Sequence, residues 1–131
     1  MQENEISRHI VECAIETHRT LGGPGLMEAV YEEALAWDLA QRSLLVERQL
    51  EVPIGYKGLS LATPLRLDML VERLVIVENK AVTKYHPDFE AQALTYLRLM
   101  NLRLALVINF GERYVKRGIH RVVNNLDPYS E

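Results

Sequence analysis

The sequence holds a single cysteine, Cys13, among its 131 residues. One cysteine forms no intrachain disulfide and no cysteine-based zinc cluster. A chain without disulfides suits a reducing, cytoplasmic setting. Cys13 lies in an apolar helical stretch, where free cysteine is far more often a small core residue than a nucleophile. Histidine is scarce too. His9, His18, His86 and His120 are scattered, and no two stand at the i,i+4 spacing of a zinc-binding helix. No apolar run approaches the roughly 20 residues that span a bilayer, so no membrane partner is expected. Met1 to Arg8 is polar and mixed in charge, unlike a signal peptide. A positive balance is also missing: 15 Lys and Arg stand against 18 Asp and Glu, a net charge of -3. Any affinity for nucleic acid must therefore come from a local basic patch.

What is present fits one domain, residues 1–131, around one hydrophobic core. In Glu3 to Leu21, Ile6, Ile10, Cys13, Ala14 and Thr17 recur at spacings of three and four, which marks one buried helical face. Leu21-Gly22-Gly23-Pro24-Gly25 ends that helix. This glycine-rich stretch lacks the lysine and spacing of a P-loop, so a turn is the better account. A second helix spans about Leu26 to Arg42, with Val30, Tyr31, Ala34, Leu35, Trp37 and Leu39 as a broad apolar stripe. The period then changes. Leu44 to Ile54 reads as a strand, Tyr56-Lys57-Gly58 as a turn, and Leu59 to Ala62 as a short strand. Arg66 to Val71 and Leu74 to Lys80 are further strands, joined tightly at Glu72-Arg73. The second has the strongest strand signal, because Val75, Ile76 and Val77 are all β-branched. Short links make these strands antiparallel neighbours.

Pro87 stands near the start of a helix from Asp88 to Asn101. Arg103 to Phe110 is a buried strand. The intervening helix is a crossover, which makes Leu74–Lys80 and Arg103–Phe110 parallel neighbours. Tyr114 to Leu126 closes the chain with a short strand or helix, read here as helical from Ile119. The order α-α-β-β-β-α-β-α describes an α/β fold, a mixed sheet flanked by helices.

Glu78-Asn79-Lys80 ends the strongest strand. Residues two apart on a strand share a face, about 6.6 Å from one another. Glu78 and Lys80 therefore point together, and Asn79 points away. Unpaired charges at the end of a buried strand are costly, so the two need each other, a metal, or open water. Asp68 lies ten positions earlier on the preceding strand. A tight or bulged hairpin brings it beside Glu78. Converging carboxylates raise each other's pKa unless a cation intervenes. Mg²⁺ takes such hard oxygen ligands and keeps several waters. Lys80 could steady developing negative charge or help deprotonate a water. This chemistry suits phosphodiester hydrolysis. On charge spacing alone, a surface ion pair of Lys80 with Asp68 or Glu78 is the commoner arrangement.

Other residues have bland readings beside functional ones. Glu28, Glu32 and Glu33 form a solvated acidic stretch by type. Tyr31 reads as a core residue whose hydroxyl finds a partner. His18 reads as structural, bordering the cleft. Lys116, Arg117, His120 and Arg121 could meet phosphates or line a solvated helical face. Lys84, Arg98 and Arg103 are further cations closer to the predicted site.

Asp68 with Glu78-x-Lys80 resembles the D...(D/E)xK core of the PD-(D/E)XK nuclease superfamily. Gln92-Ala93-Leu94-Thr95-Tyr96 resembles the QxxxY motif that follows this core in RecB-type and phage-type exonucleases. Gly25-Leu26-Met27-Glu28-Ala29-Val30-Tyr31 resembles the GxxExxY motif of a small bacterial family assigned to the superfamily, and Ile108-Asn109-Phe110-Gly111 resembles the same family. The similarity runs from about Ile10 to Asn125. It implies a restriction-endonuclease-like fold and a Mg²⁺- or Mn²⁺-dependent nuclease that hydrolyses DNA phosphodiesters with a metal-activated water. It implies Asp68, Glu78 and the Asn79 backbone carbonyl as metal ligands. Lys80 would be the catalytic lysine. Glu28 would approach the metal directly or through a water. Gln92 and Tyr96 would stand at the rim, on substrate phosphate or orienting Lys80.

Two positions depart from the pattern. Leu67 stands where the superfamily name has proline. Phe89 stands three residues before Gln92, where members often carry histidine, and His86 is out of register. A catalytically silent nuclease-fold module, binding nucleic acid or a protein partner, is the alternative. The joint presence of Asp68, Glu78 and Lys80 argues against it. A glycosidase pairing Glu28 with Asp68 or Glu78 leaves Lys80 and Gln92 unexplained. A domain this small gains grip by pairing, so a homodimer is among the expected assemblies.

Overall fold

A computed structural model describes residues 1–126 and has the expected α/β, restriction-endonuclease-like architecture. Helices α1 (Glu3–Thr20) and α2 (Glu28–Gln41) come first. They are followed by β1 (Val46–Val52), a small hairpin of β2 (Gly55–Tyr56) and β3 (Leu59–Ser60), then β4 (Leu65–Val71) and β5 (Val75–Lys80). Helix α3 (Asp88–Met100) crosses over to β6 (Leu104–Asn109), and β7 (Ile119–Val123) follows a single 3₁₀ turn at Val115–Gly118. The five-stranded sheet runs β1-β4-β5-β6-β7, with β5 and β6 parallel and the other pairs antiparallel. Among the described residues, no helix is long and apolar enough to cross a membrane.

Each face of the sheet has its own core. Ile6, Ile10, Tyr31, Leu35 and Leu39 of α1 and α2 pack on Val75, Val77, Leu104 and Leu106. Ala93 and Leu97 of α3 pack on Leu70, Ile76, Ala105 and Val107. Strands β5 and β6 are covered on both sides. That explains their nearly unbroken apolar runs.

Two expectations are corrected. Ile119–Val123 is a strand, not a helix: it pairs with β6 from Ile108↔Ile119 to Leu104↔Val123. The basic residues at 116, 117, 120 and 121 mimic a helical spacing, but the free edge of β6 and the β-branched Val122 and Val123 favour pairing. The apolar stripe of α2 is also narrower than expected. Trp37 is 63% and Val30 41% exposed, whereas Glu32 is only 4% exposed.

The entry to α2 is set by Tyr31. Its buried hydroxyl donates to the Gly23 carbonyl at 2.7 Å and accepts from the Leu26 N–H at 3.1 Å. Its ring stacks on Phe110 with centroids 4.7 Å apart. Gly22, Gly23 and Gly25 all have φ near +100°, the region that favours glycine, so the loop can fold back onto this hydroxyl. The bland reading of Tyr31 and the turn reading of the glycines both describe what is seen.

One irregularity in the sheet shapes the candidate site. On β4, Leu65 and Leu67 face the α3 side, but so does Leu70, while Met69 and Val71 face α1 and α2. Strict alternation would keep 65, 67, 69 and 71 together. The alternation breaks at Asp68. Strand β1 breaks at the same step: Val46 packs on the α1–α2 side and Leu50 and Val52 on the α3 side. Gln49, opposite Asp68, has φ 48°. Both strands switch face together, so their register survives on either side of the kink.

Candidate functional site

The kink puts a fork in the sheet. Strands β4 and β5 pair from Val71↔Val75 to Met69↔Val77 and then part. At the next step Asp68 faces Glu78, as the hairpin argument requires. The Asp68 N–H donates to Glu78 Oε2 at 2.9 Å, and the Asn79 N–H donates to Asp68 Oδ2 at 2.8 Å. Two side-chain carboxylates thus stand in for ladder bonds across the fork.

Glu78 is 5% exposed. Burial, followed by the nearby charge of Asp68, pushes its carboxyl up to about 8, against the pull of the Asp68 N–H and the Lys80 ammonium. Burial also raises Asp68. Glu32 adds to that, and the Asn79 N–H, Lys80 and the Gln49 side chain oppose it. Among the described residues, no three His, Cys, Asp or Glu side chains form a metal-binding group. The fork instead offers two carboxylates that burial and neighbouring acids disfavour as anions. That hard-oxygen set, short of charge compensation, fits a divalent cation that keeps much of its water.

Lys80 ends β5 on the Glu78 face. Its Nζ lies 4.6 Å from the centroid of the Phe89 ring, a cation–π contact. Phe89 itself packs against the α3-side core. The backbone beyond Lys80 is clamped. The Asn109 side chain accepts from the Val82 and Gly111 N–H groups and donates to the Val82 carbonyl, all at 3.0 Å. The Phe110 N–H donates to the Lys80 carbonyl at 2.7 Å. The Ile108–Gly111 segment is therefore a bracket for the strand end that carries Lys80.

On the opposite side, α2 begins at Glu28. This residue opens to solvent, yet its carboxyl is raised by the burial it has, then by Asp68 and Glu32, and lowered by Lys80. Glu32, one turn further, is not the solvated residue its type suggests. Its carboxylate receives Arg48 Nε at 3.1 Å and Gln49 Nε2 at 3.1 and 3.2 Å. Glu32 and Gln49 are the residues that sequence reasoning missed. The i,i+4 spacing of Glu28 and Glu32 was a usable signal for the first. Gln49 owes its position to a left-handed backbone that no local motif announces.

Helix α3 contributes Tyr96, whose hydroxyl is raised by burial and by the charges of Glu78 and Asp68. Gln92, one turn earlier, is exposed, and among the described residues it makes no hydrogen bond to Lys80. Glu28, Asp68, Glu78, Lys80 and Tyr96 thus share one electrostatic neighbourhood, with Gln92 at its solvent edge. His18 is structural: it is buried, with Nε2 3.1 Å from the Phe110 carbonyl oxygen. The basic cluster near the chain end is dispersed. His120 stacks on Tyr85 at 3.9 Å, Arg121 bonds Asn4, and Lys116 and Arg117 remain at the surface.

A family model described as the PD-(D/E)XK nuclease superfamily matches residues 4–122. No curated protein and no solved structure matches the chain.

Proposed function

The chain belongs to the PD-(D/E)XK nuclease superfamily, and from that premise we propose that it is a divalent-metal-dependent nuclease hydrolysing phosphodiester bonds of DNA, with Mg²⁺ or Mn²⁺ as cofactor. The observation that carries this reading is the fork, where Asp68 and Glu78 meet with Lys80 on the same strand end. Asp68, Glu78 and the Asn79 carbonyl would hold the cation, and Glu28 would approach it directly or through a water. A cation so held supplies Lewis-acid activation of water and phosphate.

The remaining roles belong to the chain's own groups. Lys80 places a positive charge where negative charge develops during attack on phosphorus. The Phe89 ring holds its ammonium away from full collapse onto the acids. Tyr96, whose hydroxyl feels the charges of both acids, would orient a water or a substrate oxygen, and Gln92 at the rim would meet a phosphate. The Gly25–Tyr31 segment supports assignment to the GxxExxY group, with Tyr31 as a scaffold and Glu28 as the functional member.

The test is hydrolysis of end-labelled DNA with Mn²⁺ by the wild type, Lys80→Ala and Asp68→Ala. Loss of cutting in both variants supports the reading, and equal activity in all three sinks it.

One observation favours a second reading, a silent module that binds nucleic acid or a protein. Each acid already closes a backbone N–H at the fork, a structural use that survives without a metal. Calorimetry with Mn²⁺ separates the two, since the module binds none.

A further inference from the structure

A second feature lies at the same end of the sheet. A groove of about 630 Å³ runs between the C-terminal part of α1 and the segment after β6. Arg19, Arg113, Lys116 and Arg117 line it, and no acidic residue does. Arg19 shares its charge with Glu16. Among the described residues, Arg113, Lys116 and Arg117 make no ion pair, so three uncompensated cations fall within five positions of a chain whose net charge is -3. A groove between α1 and α2 is lined instead by Glu16, Glu33 and Asp38 and would repel a polyanion.

The basic groove also has an aromatic floor. Tyr114 is 57% exposed, and the guanidiniums of Arg113 and Arg117 lie 5.4 and 5.9 Å from its ring centroid. An exposed ring flanked by two guanidiniums joins a stacking face to positive charge, the combination that single-stranded nucleic acid meets. A base stacks on such a ring more strongly than an exposed guanidinium does, and the displaced guanidiniums can then reach phosphates. Bases inside a duplex are already stacked and present no free face, so the ring selects a single strand.

The groove is tied to the fork by backbone. Gly118 sits so close to the Asn109 carbonyl that a Cβ there would lie 2.4 Å from its oxygen, and Asn109 is the parallel partner of Lys80. Gly23, in the groove wall, holds the Tyr31 hydroxyl and leads to Glu28. The groove wall is therefore built on the same backbone that carries Lys80 and Glu28.

We propose that this groove binds a single-stranded stretch of nucleic acid, with a base on Tyr114 and phosphates on Arg113, Lys116 and Arg117. The proposal rests on the nuclease reading only for what happens to the strand beyond the groove.

Binding of fluorescein-labelled oligothymidylate, followed by anisotropy in EDTA, tests it without cleavage. Tyr114→Ala is expected to weaken binding by about fivefold or more, while Tyr114→Phe, which keeps the ring, stays within about twofold of wild type. Arg113→Gln with Arg117→Gln should flatten the dependence of log affinity on log salt by about 1.4. A blunt duplex of equal length should bind more weakly than the single strand. The proposal fails if Tyr114→Ala binds as wild type does, if the duplex binds as tightly as the single strand, or if polyglutamate competes as well as unlabelled oligonucleotide. The last result would assign the groove to an acidic protein. Cutting with Mn²⁺ reads the other hypothesis separately. Binding through Tyr114 without cutting sinks only the nuclease, and cutting by a protein whose binding ignores Tyr114 sinks only the groove.

Discussion

Asp68 and Glu78 face each other across the fork between β4 and β5, and the backbone N–H of Asp68 is held by the carboxylate of Glu78. This places a nearly buried acid, raised to about 8, in the sheet itself. The folded chain keeps the Glu78 proton over a pH range in which the unfolded chain has released it. The stability linked to this proton is fully present below about 4.5, the ordinary value, and is lost as pH climbs through about 8. In EDTA, the melting temperature of the wild type should therefore fall from pH 5 to pH 8.5, by an amount on the order of a few kcal/mol in stability. Glu78→Gln keeps an acceptor for the Asp68 N–H but has no proton to lose, so its pH profile should be flatter. Thermal melts of the two proteins across this range check the point, and parallel profiles would rule out the buried acid. Adding Mn²⁺ at pH 8 should raise the wild-type melting temperature and leave Glu78→Gln nearly unmoved, because the cation favours the ionised pair.

Lys80 is expected to act in chemistry more than in binding the cation. Lys80→Ala should lower kcat by about 100-fold or more, the scale of losing a charge that stabilises a transition state. Mn²⁺ affinity should hold or rise slightly, since removing the ammonium removes a competitor for the same acids. Lys80→Arg keeps the charge and the contact with Phe89 but not the compact point charge of an ammonium, so it should restore the rate only in part. Calorimetry and single-turnover rates separate the two effects. A Lys80→Ala protein that loses the metal but keeps its rate at saturating metal would contradict this assignment.

The parts of this arrangement differ in how readable they were, for physical reasons. Val75–Lys80 was plain because a strand covered on both faces needs an apolar, β-branched run, and a charged pair at its end stands out against that run. The meeting of Asp68 with Glu78 followed from a short hairpin. Glu32 was hidden because glutamate is exposed by default, and only a partner from another element, Arg48 or Gln49, makes its burial tolerable. The left-handed Gln49 and the shared kink of β1 and β4 come from the pairing of two strands, which neither strand encodes alone. Ile119–Val123 departs from the helical expectation for a similar reason: the open edge of β6 decides its structure, and local charge spacing does not. The basic groove needed the 3₁₀ turn to bring Arg113 and Arg117 around Tyr114, while the helical reading had grouped Arg117 with Arg121.

Glu32 is linked to Asp68 through Gln49, whose amide donates to Glu32 and which also lowers the Asp68 carboxyl. Removing its carboxylate leaves two polar groups without their partner. Glu32→Ala should destabilise the protein by about 1–3 kcal/mol, kept to that range because Arg48 is partly open to water. Mn²⁺ affinity should fall about tenfold, as when a residue that orients a metal ligand is lost. Glu32→Gln retains an acceptor for Arg48 and Gln49 and should recover most of the stability. Urea denaturation and calorimetry on the two variants distinguish packing from charge. Equal loss in both would mean that the charge of Glu32, and not its hydrogen bonds, sustains the site.

The bracket behind Lys80 offers the sharpest steric test. A Cβ at Gly111 would sit 2.1 Å from the Val82 carbonyl oxygen, and backbone on both sides is fixed by Asn109. Gly111→Ala must push Val82 away, which breaks the hydrogen bonds that pin the chain just beyond Lys80. The expected cost is about 2 kcal/mol or more, from lost bonds to buried backbone groups and from strain. The strand end would then loosen on the side of the site that Lys80 occupies. Near-attack geometry is sensitive to displacements of about 1 Å, so kcat should fall by about 100-fold even at temperatures where the variant is fully folded. Asn109→Ala removes the same bonds without the clash and should show a smaller loss in both measurements. If Gly111→Ala melts and cuts like the wild type, the segment after β6 does not hold Lys80 in place.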